Sequence, residues 1–371
     1  MPVTGASSRE PIKLLVLEGD GIGPEICSAT VETLRTVDSL LGLGLAFTNL
    51  PVGFAALEAC GSTFPETIMP AAKQSDGVIL GPVSHNDYPP ASEGGLNPSG
   101  ELRKRLDLYA NIRPARSRTG LPPRCGSHVD LVIVRENTEG FYSDRSMFVG
   151  PGEFMPTPDI ALSIRKITRT GSTRIVEAAF ELAARRRKKV TVVHKANVLR
   201  VTDGLFLECA RAVAAKHPEI AYDEKIVDAM AALLVRDASV FDVIVTTNMF
   251  GDILSDQASE ISGSLGLAES LNAGADHAVA QAQHGSAPDI AGRDIANPTA
   301  LIGSAAMLFD WLGQRRSDAR LIRAAALIQT GLEQVIAEPA HRTGDLGGEL
   351  GTRAFTRHLI EAIEREAKAA T

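Results

Sequence analysis

Paired cysteines, excess positive charge and long apolar runs are what this 371-residue chain lacks. Cys27, Cys60, Cys125 and Cys209 are widely scattered with no C-x-x-C pair. That spacing excludes a cysteine zinc site or a disulfide framework and fits a reducing cytoplasm. The formal net charge is −7, against the dense cationic footprint that a nucleic acid or an anionic membrane surface requires. The one basic run, Arg185 to Lys189, follows a helical pattern and precedes a strand-like one, so it reads as a solvated helix end. No apolar stretch approaches the roughly 18 residues of a membrane span. The first residues, MPVTGASSREP, have no apolar signal core. Internal repeats and low-complexity tracts are absent as well. The expectation is a cytoplasmic protein that binds neither nucleic acid nor membrane.

What is present is a length sufficient for two cores, with 44% hydrophobic and 22% charged residues, both ordinary for a globular chain. Short β-branched runs alternate with longer amphipathic segments, the pattern of strands and crossover helices in a mostly parallel sheet. Strands are expected at 13–17, 77–80, 130–134, 189–193 and 241–246. Helices are expected at 24–41, 171–187, 202–216, 253–265, 298–312 and 317–337, with a C-terminal surface helix at 352–368. Two turn-rich segments, 81–100 and 149–159, are long enough to be functional loops or interaction arms. Three expected strands run into polar residues: Arg135-Glu136-Asn137, His194-Lys195, and Asn248 with Asp252. Ligands of open α/β sheets bind beyond the carboxyl ends of strands, so these ends suggest one polar site for an anionic, metal-bound substrate.

The stretch LEGDGIGPEI, Leu17 to Ile26, has the glycines of a phosphate-binding turn without their spacing. A dinucleotide fingerprint G-x-G-x-x-G that starts at Gly19 needs a glycine where Pro24 stands; one that starts at Gly21 needs it where Ile26 stands. The next strand-like run offers Asn49 but no ribose-binding acid. Pro24 and Glu25 instead suit the first turn of a helix. Asp252 and Asp256 are four apart on a helical pattern, so they share a face and repel unless a hard cation such as Mg²⁺ or Mn²⁺ lies between them. A helix cap and a solvated acid would explain the same pair. Arg103, Arg105, Arg113 and Arg116 follow in ELRKRLDLYANIRPARS, and arginine forks bind carboxylates, although solvated arginines fit as well. In HGSAPDIAGRDIANP, Gly285, Pro288 and Gly292 build an open loop, and Asp289 could accept from a ribose hydroxyl; a plain surface turn is the other reading.

Taken together, LEGDGIGPEI, LDLYANIRPAR, VRENTEGFY, HKANVL, VDAMA, NMFGDILSD, HGSAPDIAGRDIANP and DLGG resemble, in this order, the β-decarboxylating dehydrogenases of isocitrate, 3-isopropylmalate, homoisocitrate and tartrate or D-malate. The resemblance implies a two-domain α/β fold with a mixed, mostly parallel central sheet, unlike a Rossmann domain. It implies a cofactor-binding domain of residues 1–108 plus 263–371, and a dimerisation and substrate domain of residues 109–262 with an intersubunit arm near 144–165. It also implies NAD, a Mg²⁺ or Mn²⁺ ion, and a homodimer with shared active sites. Residue by residue, Arg103, Arg113 and Arg135 match the arginines for substrate carboxylates. Asn97 and Ser99 fall where the substrate's side group is read. Tyr142 and Lys195 match the acid–base pair; Asp228, Asp252 and Asp256 match the metal ligands, with Lys195 and Asp228 coming from the partner subunit. His284, Gly285, Ser286, Ala287, Asp289, Ile290 and Asn297 match the cofactor loop, and Asp289-Ile290 its NAD-preferring form. The implied reaction is oxidative decarboxylation of a 3-substituted (2R)-malate, with tartrate or D-malate oxidation and a catalytically weak regulatory paralogue as alternatives. The chain departs from the family pattern at Leu96–Gly100, where the leucines for an isopropyl group are missing. It departs again at Gln281, where the motif carries glutamate, and at Glu269–Gly274.

Overall fold

The computed structural model describes residues 10–369 apart from 125, 127, 143–146, 148, 149 and 151. Part of the arm expected near 144–165 therefore lies outside the described residues. Twelve strands occur in them: β1 Ile12–Leu17, β2 Leu45–Asn49, β3 Gly77–Leu80, β4 Ala110–Arg116, β5 Asp130–Glu136, β6 Glu153–Thr157, β7 Ile160–Ser163, β8 Lys189–His194, β9 Ala221–Ile226, β10 Val243–Thr246, β11 Leu271–Ala273 and β12 Ala278–Gln281. The helices are α1 Gly23–Leu41, α2 Phe54–Cys60, α3 Ile68–Gln74, α4 Pro98–Arg105, α5 Arg169–Ala184, α6 Thr202–Ala214, α7 Val227–Asp237, α8 Asn248–Ser262, α9 Thr299–Arg316, α10 Ala319–Ala337 and α11 Thr352–Ala369.

Ten strands form one sheet in the order β2-β1-β3-β12-β11-β4-β5-β10-β8-β9, and β6 pairs with β7 as a separate hairpin. The two wings of the sheet are parallel, and their inner strands are the apolar runs that burial on both faces favours. The three pairings at the centre, β12–β11, β11–β4 and β4–β5, are antiparallel. Two core clusters hold the first wing, one under α1, α9, α10 and α11 and one under α2, α3 and α4. Two others hold the second wing against α5, α6, α7 and α8.

The strand expectations hold to within a few residues, and two helices differ from expectation for a physical reason. Helix α8 begins at Asn248 rather than 253, because Thr247 with extended backbone is its N-cap. Asp252 is thus an interior residue and not a cap. Helix α11 is more than a surface helix: Phe355, Leu359, Ala362 and Ile363 are fully buried on its inner face. The antiparallel centre was missed because β4 (ANIRPAR) and β11 (LNA) carry polar residues that break a strand pattern.

Those polar residues are explained by the period of a strand. Along β4, Asn111 and Arg113 face one side of the sheet and Ile112 and Arg116 the other. Arg116 meets the buried Glu269 at the back, and Arg118 adds a second guanidinium 3.6 Å from the same carboxylate. Gln329 of α10 donates to its other oxygen at 2.7 Å. Burial alone would raise the Glu269 carboxyl; Arg116 and Arg118 outweigh it and hold the group below the usual range. Its stabilisation is therefore complete above the pH at which a free glutamate titrates, and is lost as pH falls through the depressed folded value. Glu269→Gln should leave two buried arginines short of a counter-charge and cost about 3–5 kcal/mol in denaturant unfolding. It should also flatten the loss of stability below about pH 4. An unchanged unfolding midpoint would show that the arginines are solvated in the folded protein.

Candidate active site

A cleft of about 240 Å³ opens at the carboxyl ends of the central strands. Its lining brings together Asn97, Ser99, Arg103, Arg113, Arg135, Tyr142, Asp252, His284 and Gly285 from the expected site residues, with His85, Ser270, Gln281 and Gln283 added. A larger cavity of about 570 Å³ lies on the opposite sheet face, between α5, α9 and α10. Its floor is the register pair Ile112 and Leu271, and its wall includes Trp311. Of the two, the smaller cleft combines guanidiniums, a carboxylate and a phenol, which makes it the candidate site.

Each charged group in the cleft is held by a particular element. Helix α8 places Asp252 and Asp256 one turn apart, and its Ser255 lies between them. Arg113 reaches across from β4: one terminal nitrogen donates to Ser255 at 2.7 Å, to Asp252 at 3.1 Å and to Asp256 at 3.4 Å. Arg135, at the end of β5, donates to Asp252 at 2.5 Å. Its other nitrogens are held by the backbone and side-chain oxygens of Asn248 at 2.7–3.2 Å. This approach needs Gly251: a β-carbon there would meet Cγ of Arg135 at 2.6 Å. Tyr142 donates its hydroxyl to the second oxygen of Asp252 at 3.3 Å.

The two aspartates titrate in opposite directions. Burial raises Asp252, but the guanidiniums of Arg135, Arg113 and Arg103 outweigh it and hold that carboxyl low. Asp256 is pushed up by burial, with the charge of Asp252 adding to the effect and Arg113 opposing it.

Lys195 and Asp228 lie elsewhere. They follow β8 and β9 and form a 2.5 Å ion pair with each other. Neither is part of the cleft lining. Among the described residues, no cluster of three or more His, Cys, Asp or Glu side chains could hold a metal ion. One copy of the chain thus brings Asp252 and Asp256 together and leaves Asp228 apart. The backbone of Lys195 is fixed by Asp203, fully buried, which accepts from its N–H at 2.6 Å and pairs with Arg165.

Of the loop from His284 to Asn297, His284 and Gly285 line the cleft while Ser286, Ala287, Asp289, Ile290 and Asn297 lie outside its lining, and LEGDGIGPEI supports the loop. Gly21 has φ +56°, and a β-carbon there would sit 2.0 Å from the Ser286 carbonyl oxygen. Ile22 donates its N–H to that oxygen at 2.8 Å. The Ser286 hydroxyl bonds Ser84 at 2.7 Å. Asp20 accepts from the backbone of Phe54 and Ser84 at 2.8 and 2.9 Å, and from Tyr88, tying three loops together. Gly21 therefore serves close backbone contact with the loop, whereas Gly19 lies against the Pro82 carbonyl and Gly23 against that of Glu18. Gly285 and Gly292 have open space around them. Ala287 is left-handed with φ +39°, Asp289 is exposed and Ile290 is half-buried. Asn297 is buried, donates to Asp345 of the DLGG segment at 2.9 Å and accepts from Thr299 at 3.0 Å. His284 is kept neutral in tendency by burial, which lowers its pKa.

Sequence reasoning missed the neutral residues Asn111, Ser255 and Asn272 that organise these charges, although it named Asn248. No spacing marks a buried amide; only the contacts reveal it.

Fold and cleft together describe an α/β protein with a cleft lined by guanidiniums, a carboxylate and a phenol. The sequence model of the isocitrate/isopropylmalate dehydrogenase family matches residues 13–363. The 3-isopropylmalate dehydrogenase of Sulfurisphaera tokodaii is 41% identical over 348 residues, which are 94% of this chain and 97% of that one. The isocitrate/homoisocitrate dehydrogenase of Thermus thermophilus is 42% identical over 354 residues, 95% of this chain and 98% of that one. The crystal structure of isocitrate dehydrogenase from Methylococcus capsulatus superposes with a TM-score of 0.83 at 39% identity, covering 95% of this chain and 99% of that one. The chain belongs to the isocitrate/isopropylmalate dehydrogenase family, and it is a dehydrogenase. No helix among the described residues is long and apolar enough to cross a membrane.

Proposed function

We propose that the chain catalyses NAD- and divalent-metal-dependent oxidative decarboxylation of a 3-substituted (2R)-malate, as a homodimer with shared active sites. The observation that carries this reading is the convergence of Arg103, Arg113 and Arg135 on a cleft that also holds Tyr142 and Asp252. Three guanidiniums match the carboxylates of such an acid. Asp252 and Asp256 offer the hard oxygen donors that Mg²⁺ or Mn²⁺ takes, and the partner's Asp228 completes the set. A bound cation would lower the pKa of the substrate hydroxyl and offset the charge left when CO₂ departs. The partner's Lys195 accepts the hydroxyl proton, and Tyr142 delivers a proton to the carbon that loses CO₂. The arginines hold the remaining carboxylate in place. NAD, on the 284–297 loop, would supply the hydride acceptor. Exposed Asp289 would repel a 2′-phosphate, which favours NAD over NADP.

The dimer reading rests on an incomplete site and an uncovered surface. In the β6–β7 hairpin Phe154, Met155, Ile160 and Leu162 are 45–63% exposed. A two-stranded hairpin with apolar residues on its surface is marginal alone and needs a partner. We propose the domain division of residues 1–108 plus 263–371 and residues 109–262 with it, the hairpin belonging to the second domain.

The first test is NADH formation with Mn²⁺ on isocitrate, homoisocitrate, 3-isopropylmalate, D-malate and tartrate. One 3-substituted malate should lead; no turnover of any, with metal bound, would favour the regulatory paralogue. Sharing of the site is tested by mixing Lys195→Ala with Asp252→Asn chains. Each alone should be inactive, while hybrid dimers should regain up to about a quarter of wild-type activity, since one site in each hybrid is intact. Absence of any recovery would place both residues in one chain's site. Asp289→Lys with Ile290→Tyr should move the NADP/NAD ratio of kcat/KM up by about tenfold or more. An unmoved ratio would remove Asp289 from the cofactor's ribose.

A further inference from the structure

A line of buried amides runs from Arg113 to Gln281, and its direction is set by chemistry. An arginine can only donate. Arg113 Nε donates to Oδ1 of Asn111, so Nδ2 of Asn111 faces onward. That group donates to Oδ1 of Asn272 at 2.9 Å, and Asn137 donates to the same oxygen at 3.0 Å. Nδ2 of Asn272 is thereby turned towards Gln281, 3.5 Å from its Oε1. Ser99 donates to that Oε1 at 2.9 Å. The backbone of Gln281 is fixed as well: its N–H donates to the Ser270 carbonyl at 3.2 Å, and its carbonyl accepts from the Ser270 hydroxyl at 2.7 Å.

The orientation of every amide in the line follows from the one before it, which removes the ambiguity that side-chain amides ordinarily carry. Both acceptor sites of Gln281 Oε1 are taken. Among the described residues no acceptor meets its Nε2, and Gln281 lines the cleft. Every member of the line is less than 9% exposed, so reversing one amide would leave buried donors face to face.

We infer that Gln281 is a specificity-determining residue whose Nε2 donates to an anionic group on C3 of the substrate, and that Asn111 and Asn272 are positioning residues for it. The inference rests on the reading of the chain as a 3-substituted malate dehydrogenase. Arg113 and Arg135 reach the cleft from β4 and β5, and α4 brings Arg103 together with its N-cap Asn97. The hydroxyl proton of Ser99 is spent on Gln281, so the amides of Gln281 and Asn97 are the neutral donors suited to a further carboxylate. Leu96, the nearby residue that could welcome an isopropyl group, packs into the core instead. A glutamate in place of Gln281 would keep the bonds from Ser99 and Asn272 but present only a charged acceptor to the cleft.

The test compares calorimetric binding of isocitrate and D-malate, with Mn²⁺ present, in wild type and Gln281→Glu. D-malate lacks the C3 group. The isocitrate Kd should rise about tenfold or more, the worth of a charge-assisted hydrogen bond exchanged for repulsion, and the D-malate Kd much less. Gln281→Met, which has similar volume and no donor, should weaken isocitrate by a smaller factor and serves if the glutamate variant does not fold. Equal changes for both ligands, or none, would overturn the role of Gln281. A wild type that binds both acids but turns over neither would overturn the catalytic reading and leave the selectivity of Gln281 standing. Stronger wild-type binding of 3-isopropylmalate than of isocitrate would overturn the assignment of an anionic C3 group.

Discussion

The buried guanidinium of Arg113 constrains more of this protein than any other single group. A charge that is 5% exposed must have its donors met. The nitrogens of Arg113 are met on two sides. Ser255, Asp252 and Asp256 receive one of them, which fixes helix α8 against strand β4. Asn111 receives another, which starts the line of amides through Asn272 to Gln281. One strand residue thus sets the position of both carboxylates and the orientation of the Gln281 amide. Removing it would leave Asp252 to Arg135 and Tyr142, and Asp256 without its cation.

The inner strands of the parallel wings were legible in the sequence because they are largely apolar, whereas the edge strand β9, AYDEKI, was not expected. LVIV at 131–134 and VIVT at 243–246 admit no other reading once turn residues bound them. The antiparallel centre was not legible, since in ANIRPAR the inward residues of one face are arginine and asparagine. A pattern rule treats those as solvent-facing, and the sheet buries them. The glycine loop at Gly19–Gly23 lacks the spacing of a phosphate cradle. Its actual task, carrying the backbone of the Ser286 loop, is a contact across more than 260 residues that no local window contains.

For the site the division is similar. Arginines, aspartates and Tyr142 were found by residue type and motif, because charge in such an arrangement has few structural uses. Asn111 and Asn272 were not found, since neutral amides are common everywhere and acquire meaning only through what they touch. Gln281 stood out as a departure from a motif, and its contacts supply the reason that the motif alone could not. The pairing of Lys195 with Asp228 belongs to the same category. Each residue invites a role in one cleft, while geometry puts the two beside each other and away from it.

The central strands also show why two arginines so close in sequence, 113 and 116, serve unrelated ends. They differ by three positions, so the strand's period of two sends them to opposite faces. Each then requires its own acids: Asp252 and Asp256 in front, Glu269 behind. A register slip of one residue would exchange Ile112 with Arg113, putting an aliphatic group against the aspartates and a charge against Leu271. Neither could be tolerated, because the aspartates would lose their cation and the apolar floor would acquire one. The charges that line the cleft are therefore also what fixes the register of the strands that, among the described residues, join the two wings. In this fold, specifying the site and specifying the sheet are a single constraint.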